Sequence, residues 1–137
     1  LNMQQIKKLE MLEKLIEDLI EANKELPVIV EGESDRNALV MLGLDGEIIT
    51  INAGMSLEAF AEWISMRFNR VILLLDWDRK GFLLTVRVSK LLLANNVTVQ
   101  LTFWEKIKDL VSKEIKDVEC MYSLLEKTRR KVIKNYV

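Results

Sequence analysis

Apolar positions follow two different periods along this chain. Between residues 3 and 24, Ile6, Leu9, Leu12, Leu15, Ile16, Leu19 and Ile20 recur at helical spacing, which predicts an amphipathic helix. Glu10 and Lys14 stand four residues apart on it, a favourable pairing distance. Its apolar face either packs on the domain's own core or joins two copies as a homodimer. Pro27 closes the segment. Short apolar runs then alternate with helical patterns. Val28-Ile29-Val30 predicts a buried strand, and Ser34 a cap for a helix over Asp35 to Leu42 that stops near Gly43. Residues 47–51 predict a second strand. Ser56 predicts the cap of a helix carrying Leu57, Phe60, Ala61, Ile64 and Phe68 on one face. Residues 71–75 are all apolar, as expected for a third strand covered on both sides. A helix over Phe82 to Ala94, a fourth strand over residues 97–101, a capping box from Thr102 and Glu105, and a last helix over residues 118–131 complete the pattern.

This alternation predicts an α/β fold, Rossmann-like, with a four-stranded, mainly parallel sheet and helices on both faces. The organisation expected is an N-terminal helix (1–25), a core (26–103) and C-terminal helices (104–137). Ligands of such sheets bind at the carboxyl ends of the strands. Those ends read Glu31-Gly32-Glu33-Ser34-Asp35, Asn52-Ala53-Gly54 and Asp76-Trp77-Asp78-Arg79-Lys80-Gly81. In extended backbone, residues two apart point to the same side, so Asp76 and Asp78 can approach one cation. Without a cation their charges repel and raise the proton affinity of at least one. The alternative is a solvated loop whose acids favour a helix N-terminus. Glu31, at the end of another buried strand, adds a third carboxylate if the two strands are neighbours. Gly32 after it permits a sharp turn and close approach of the backbone to a ligand.

Composition narrows the chemistry. The 137 residues include no histidine and one cysteine, Cys120. Histidine bases, histidine metal sites and an internal disulfide are therefore excluded, and a zinc site cannot rest on Cys120 alone. Carboxylates are left as ligands, and they favour Mg²⁺ or Mn²⁺. No apolar run approaches the roughly 20 residues that span a bilayer, and no signal-peptide pattern opens the chain. No membrane partner and a reducing, cytoplasmic compartment are expected. The net charge of −1 means that any RNA or DNA binding must come from a local basic face. Arg36, Arg79 and Lys80 lie in the motif loops; Arg67 and Arg70 should sit at the opposite end of strand three. Lys127, Arg129, Arg130, Lys131 and Lys134 form a basic stretch, suited either to phosphates or to a solvated helix end. Trp77 should point away from its flanking aspartates into the core. Trp63, Trp104, the six methionines and Cys120 are also expected there.

Two segments together resemble the topoisomerase–primase (Toprim) superfamily. Residues 28–35 are similar to its first motif, an apolar strand followed by Glu-Gly-x-x-Asp, and residues 71–81 to its second, an apolar strand followed by Asp-x-Asp-x-x-Gly. The Asn52-Ala53-Gly54 turn matches the small-residue turn after the second strand. Lys116-Asp117-Val118-Glu119 looks like a Lys-Asp segment that follows the core in small stand-alone members, although Asp117 reads equally well as a helix cap. Those members are related to the Toprim part of ribosomal-RNA maturase nucleases and bacterial-type primases. The resemblance implies that Asp76 and Asp78 bind Mg²⁺ and that Glu31 acts as general acid/base or shares the metal. It implies loop support from Gly32, Asp35, Gly54 and Gly81. Lys80 stands where type IA topoisomerases carry a further acid, and no tyrosine-bearing strand-passage domain follows, which argues against topoisomerase activity. The absence of template-holding domains from the sequence argues against primer synthesis. The expected function is a small metal-dependent nuclease, a hydrolase acting on RNA or DNA. The alternative is a non-catalytic Toprim module within a repair, replication or RNA-processing assembly.

Overall fold

The computed structural model describes residues 3–51 and 54–136, the side chain of Tyr136 excepted. The chain order is α1 (Met3–Asn23), β1 (Val28–Val30), α2 (Glu33–Leu42), β2 (Ile48–Thr50), α3 (Leu57–Arg67), β3 (Arg70–Leu73), α4 (Arg79–Ala94), β4 (Thr98–Gln100), α5 (Thr102–Val111) and α6 (Met121–Tyr136). The four strands form one sheet in the order β2-β1-β3-β4, parallel throughout. Val28 pairs with Ile48 on one side and with Ile72 on the other.

Strand alternation divides the interior into two layers. Val28, Val30, Ile48, Ile72 and Leu74 face a core completed by α1, α2, α5 and α6, with Leu12, Leu19, Leu39 and Ile107 at its centre. Ile29, Ile49, Val71, Leu73 and Leu75 face the other way, against Phe60, Ala61 and Ile64 of α3 and Val88 and Leu92 of α4. The apolar face of α1 is thus buried within its own domain. The N- and C-terminal segments share one core with the sheet and close one of its faces.

Helix starts differ from the expected ones in an informative way. Ser34 lies inside α2, and Gly32 takes the cap position. Asp35 folds back so that its carboxylate accepts the Gly32 N–H at 3.0 Å. The third residue of the helix thereby reaches back to satisfy the cap residue's free N–H, the reciprocal half of a capping box. Ser56 does cap α3, accepting from the Ala59 N–H at 3.1 Å. The Thr102–Glu105 capping box is not formed; Leu101 caps α5 without a side-chain bond. Helix α4 begins three residues before the expected Phe82, because Asp78 caps it. Lys14 pairs with Asp18 at 2.7 Å rather than with Glu10.

Core assignments also need correction. Trp77 and Trp104 are buried, but Trp63 is 37% exposed, with the Arg67 guanidinium over its ring. Met121 is buried, whereas Met3, Met11, Met41, Met55 and Met66 are exposed, on outward helix faces or, for Met55, in the turn before α3. Cys120 is exposed as well.

Asn23 ties three segments together where α1 ends. Its amide donates to the Leu26 and Glu47 carbonyls at 3.0 and 2.9 Å, and its oxygen accepts from the Gly46 N–H at 2.8 Å. Its side chain is 2% exposed, and Gly46 lies so close that an added Cβ would fall 2.0 Å from the Asn23 carbonyl oxygen. Asn23→Ala strands these buried groups and should cost about 2–4 kcal/mol. Urea denaturation checks this; a midpoint equal to wild type would show that the three bonds are dispensable.

Candidate functional site

The chain leaves β1 toward α2 on one sheet face and leaves β3 toward α4 on the other. Because β1 and β3 are neighbours, a crevice opens between their carboxyl ends, the usual ligand position in such sheets. Glu31 follows β1 and is half-buried. Asp76 follows the apolar continuation of β3 and is half-buried too. Asp35, on the first turn of α2, is 7% exposed.

Asp76 is the hub. Its Oδ1 accepts the Val118 N–H at 2.9 Å, and its carbonyl accepts the Trp104 indole N–H at 3.3 Å. Burial raises its pKa from 3.8 to about 6, with smaller contributions from Asp35, Glu31 and Asp117, and with the Val118 bond acting against the rise. Burial likewise raises Asp35, assisted by Asp117 and opposed by the N–H groups of Gly32 and Glu119. Among the described residues, none of Glu31, Asp35, Asp76 or Asp117 forms an ion pair. Negative charge is therefore concentrated here without a protein cation to balance it.

The segment between α5 and α6 brings Asp117 into this cluster. Trp77 donates its backbone N–H to the Lys116 carbonyl at 3.0 Å and its indole N–H to the Ile115 carbonyl at 2.8 Å. Asp117 accepts the Cys120 N–H at 3.0 Å. A hydrogen bond to the same carboxylate, more than burial, pushes the Cys120 thiol up to about 11. Asp117 caps the turn before α6, and its Coulombic reach to Asp76 was legible only as a faint Lys-Asp resemblance. Contact between residues 42 apart has no local signature.

Asp78 has a different job. Its Oδ1 accepts the Gly81 N–H at 2.7 Å and caps α4, as the helix-terminus alternative foresaw. Gly81 is required on steric grounds, since an added Cβ would lie 2.2 Å from the Asp76 carbonyl oxygen. Gly32 has extended backbone and open space before it, and Gly54 has a positive φ of 79°. Asn52 and Ala53 lie outside the described residues. Arg79 and Lys80 are exposed on the first turn of α4, while Arg36 pairs with Glu33 at 3.3 Å. Among the described residues, no group of three or more acid or thiol side chains is gathered closely enough to hold one metal ion.

No family model matches the chain. A UPF0292 protein of Methanosarcina barkeri is 35% identical over 126 residues, covering 91% of this chain and 87% of that one. The UPF0292 protein of Methanocaldococcus jannaschii is 30% identical over 118 residues, 86% and 92% of the two chains. The chain belongs to the UPF0292 family. A further UPF0292 relative, from Thermoplasma volcanium, is 40% identical over 86 residues, 63% of this chain and 72% of its own. A solved structure, a putative protein from Aquifex aeolicus, shares the fold with a TM-score of 0.65 and 24% identity, over 77% of this chain and 94% of that one.

The site of this UPF0292 protein has a definite pH signature. Because the Asp76 pKa is raised on folding, its contribution to stability is complete below about 3.8 and is lost as the pH rises through about 6. Asp76→Asn keeps an acceptor for Val118 and removes the charge. In cation-free buffer above about pH 7, this variant should be more stable than wild type by about 1–2 kcal/mol, allowing for solvent screening. Below about pH 4 the difference should vanish. Denaturant unfolding at both pH values checks it; a variant less stable than wild type at neutral pH would contradict the assignment.

Proposed function

We propose that this UPF0292 protein is a Toprim-like, Mg²⁺- or Mn²⁺-dependent nuclease that processes phosphodiesters of RNA or DNA in the cytoplasm. The observation that carries this reading is the uncompensated acidic crevice where β1 and β3 end side by side, with Glu31 and Asp76 on its two sides. Supporting it are the two Toprim-like motifs, each now with a local physical role: Asp35 fastens the loop after β1, and Gly81 lets α4 rest on the Asp76 backbone. No described helix is long and apolar enough to cross a membrane.

The donor set suits a hard cation, being all carboxylate and short of positive charge. Asp76 and Glu31 would hold it, with Asp78 free to contribute its second oxygen while capping α4. The bound cation supplies charge neutralisation at the scissile phosphate. In this scheme the Glu31 carboxylate oxygen not engaged with the cation would take a proton from the attacking water. Asp76 is held in place by Val118, and Asp35 steadies the loop that carries Glu31.

One observation favours the non-catalytic alternative. The acids are not gathered into a ready three-ligand site, and Asp78 is engaged as a cap. A binding module within a repair, replication or RNA-processing assembly needs no more than that.

Incubating labelled single- and double-stranded RNA and DNA with Mg²⁺, Mn²⁺ or EDTA decides between the two. Metal-dependent cleavage should fall by about 10²–10⁴-fold in Glu31→Gln and at least as far in Asp76→Asn. Cleavage that survives both substitutions would assign it to another site; binding without cleavage would support the module. Separately, saturating Mn²⁺ at about 100 times its dissociation constant should stabilise wild type by about 2.7 kcal/mol. Asp76→Asn/Asp78→Asn should show no such gain, and equal shifts in both proteins would defeat the cation site.

A further inference from the structure

A groove of about 320 Å³ runs between α1 and α6 and ends on the segment that carries Asp117. Lys8, Glu114, Lys127 and Lys131 line it together with Ile115 and Leu124, and Cys120 lies at its edge toward that segment. Its charge is a local departure from a chain with net charge −1. Lys127 and Lys131 stand one helical turn apart, and Lys134 continues the row.

Glu114 also lines the groove and offsets Lys8 there, so the groove's charge rests on Lys127 and Lys131. Arg129 pairs with Glu13 and Glu126 at 3.0 and 3.1 Å, and Lys8 pairs with Glu114. Among the described residues, Lys127 and Lys131 are exposed and form no ion pair. The groove also leads somewhere. Cys120 donates its backbone N–H to Asp117, and the residue after Asp117, Val118, donates its N–H to Asp76 at 2.9 Å, so the groove abuts the segment that holds the crevice's central carboxylate.

We propose that this groove holds the sugar–phosphate backbone of a single-stranded nucleic acid and directs it to the acidic crevice. Lys127 and Lys131 supply the phosphate contacts, and the apolar lining residues Ile115 and Leu124 accommodate the sugar edge. The groove is small enough to take only a few sugar–phosphate units at a time, and preference for a single strand is the part of the proposal that competition with a duplex reads. The destination of the strand rests on the nuclease reading above; the grip itself rests on the groove alone.

Anisotropy of a short fluorescent oligonucleotide, single-stranded RNA or DNA, titrated with the protein in EDTA tests the grip without cleavage. Lys127→Ala/Lys131→Ala should weaken binding at least about tenfold and reduce the slope of log affinity against log salt by about 1.4. Lys127→Arg/Lys131→Arg should restore both. Unchanged affinity and slope in the alanine pair, no binding by wild type, or a duplex competing as well as the single strand would each overturn the proposal. The two readings separate cleanly. Strand binding that depends on the lysines without metal-dependent cleavage leaves the groove standing and removes the nuclease. Metal-dependent cleavage at limiting substrate that is indifferent to the alanine pair does the reverse.

Discussion

A carboxylate at the end of a dry strand is the constraint around which this structure is arranged. Val71 to Leu75 are wholly buried, and the chain then delivers Asp76 to the sheet edge with only partial access to water. Such a group must accept hydrogen bonds, take up a proton or face a cation. The Val118 N–H meets part of that need. Three further acids oppose it, so the cost of the charge is only partly offset within the protein.

Much of the surrounding architecture follows from holding that carboxylate in place. Gly81 lets the first turn of α4 rest against the Asp76 backbone. Trp104 from α5 donates to its carbonyl, and Trp77 next to it anchors the segment before α6. The C-terminal helices are therefore both half of one core layer and the source of the groups that close the crevice. Loosening that segment would expose the cluster and disturb packing on the same sheet face, which couples stability to the site.

The strands were legible because buried parallel strands read as short apolar runs, and the two-face arrangement followed from their alternation with helices. Glu31, Asp76 and Gly81 were legible because each sits at a fixed offset from such a run. The contents of the turns were not. Ser34 has good capping chemistry, yet the helix starts before it, with Gly32 at the cap and Asp35 reaching back to the Gly32 N–H. Cys120 and most methionines resemble core residues in isolation, but Cys120 and Met55 fall in turns and Met3, Met11, Met41 and Met66 on outward helix faces. Asp117 joins the cluster through a fold of the chain that brings residue 118 to residue 76, a pairing that no periodicity encodes.

The central claim is that the crevice between β1 and β3 binds a divalent cation. Diffraction from crystals grown with Mn²⁺, with anomalous data collected at the manganese edge, tests it most directly. The account predicts one or more strong anomalous peaks in the crevice, coordinated by Glu31 and Asp76. A clean map there, with manganese bound elsewhere or nowhere, would contradict it.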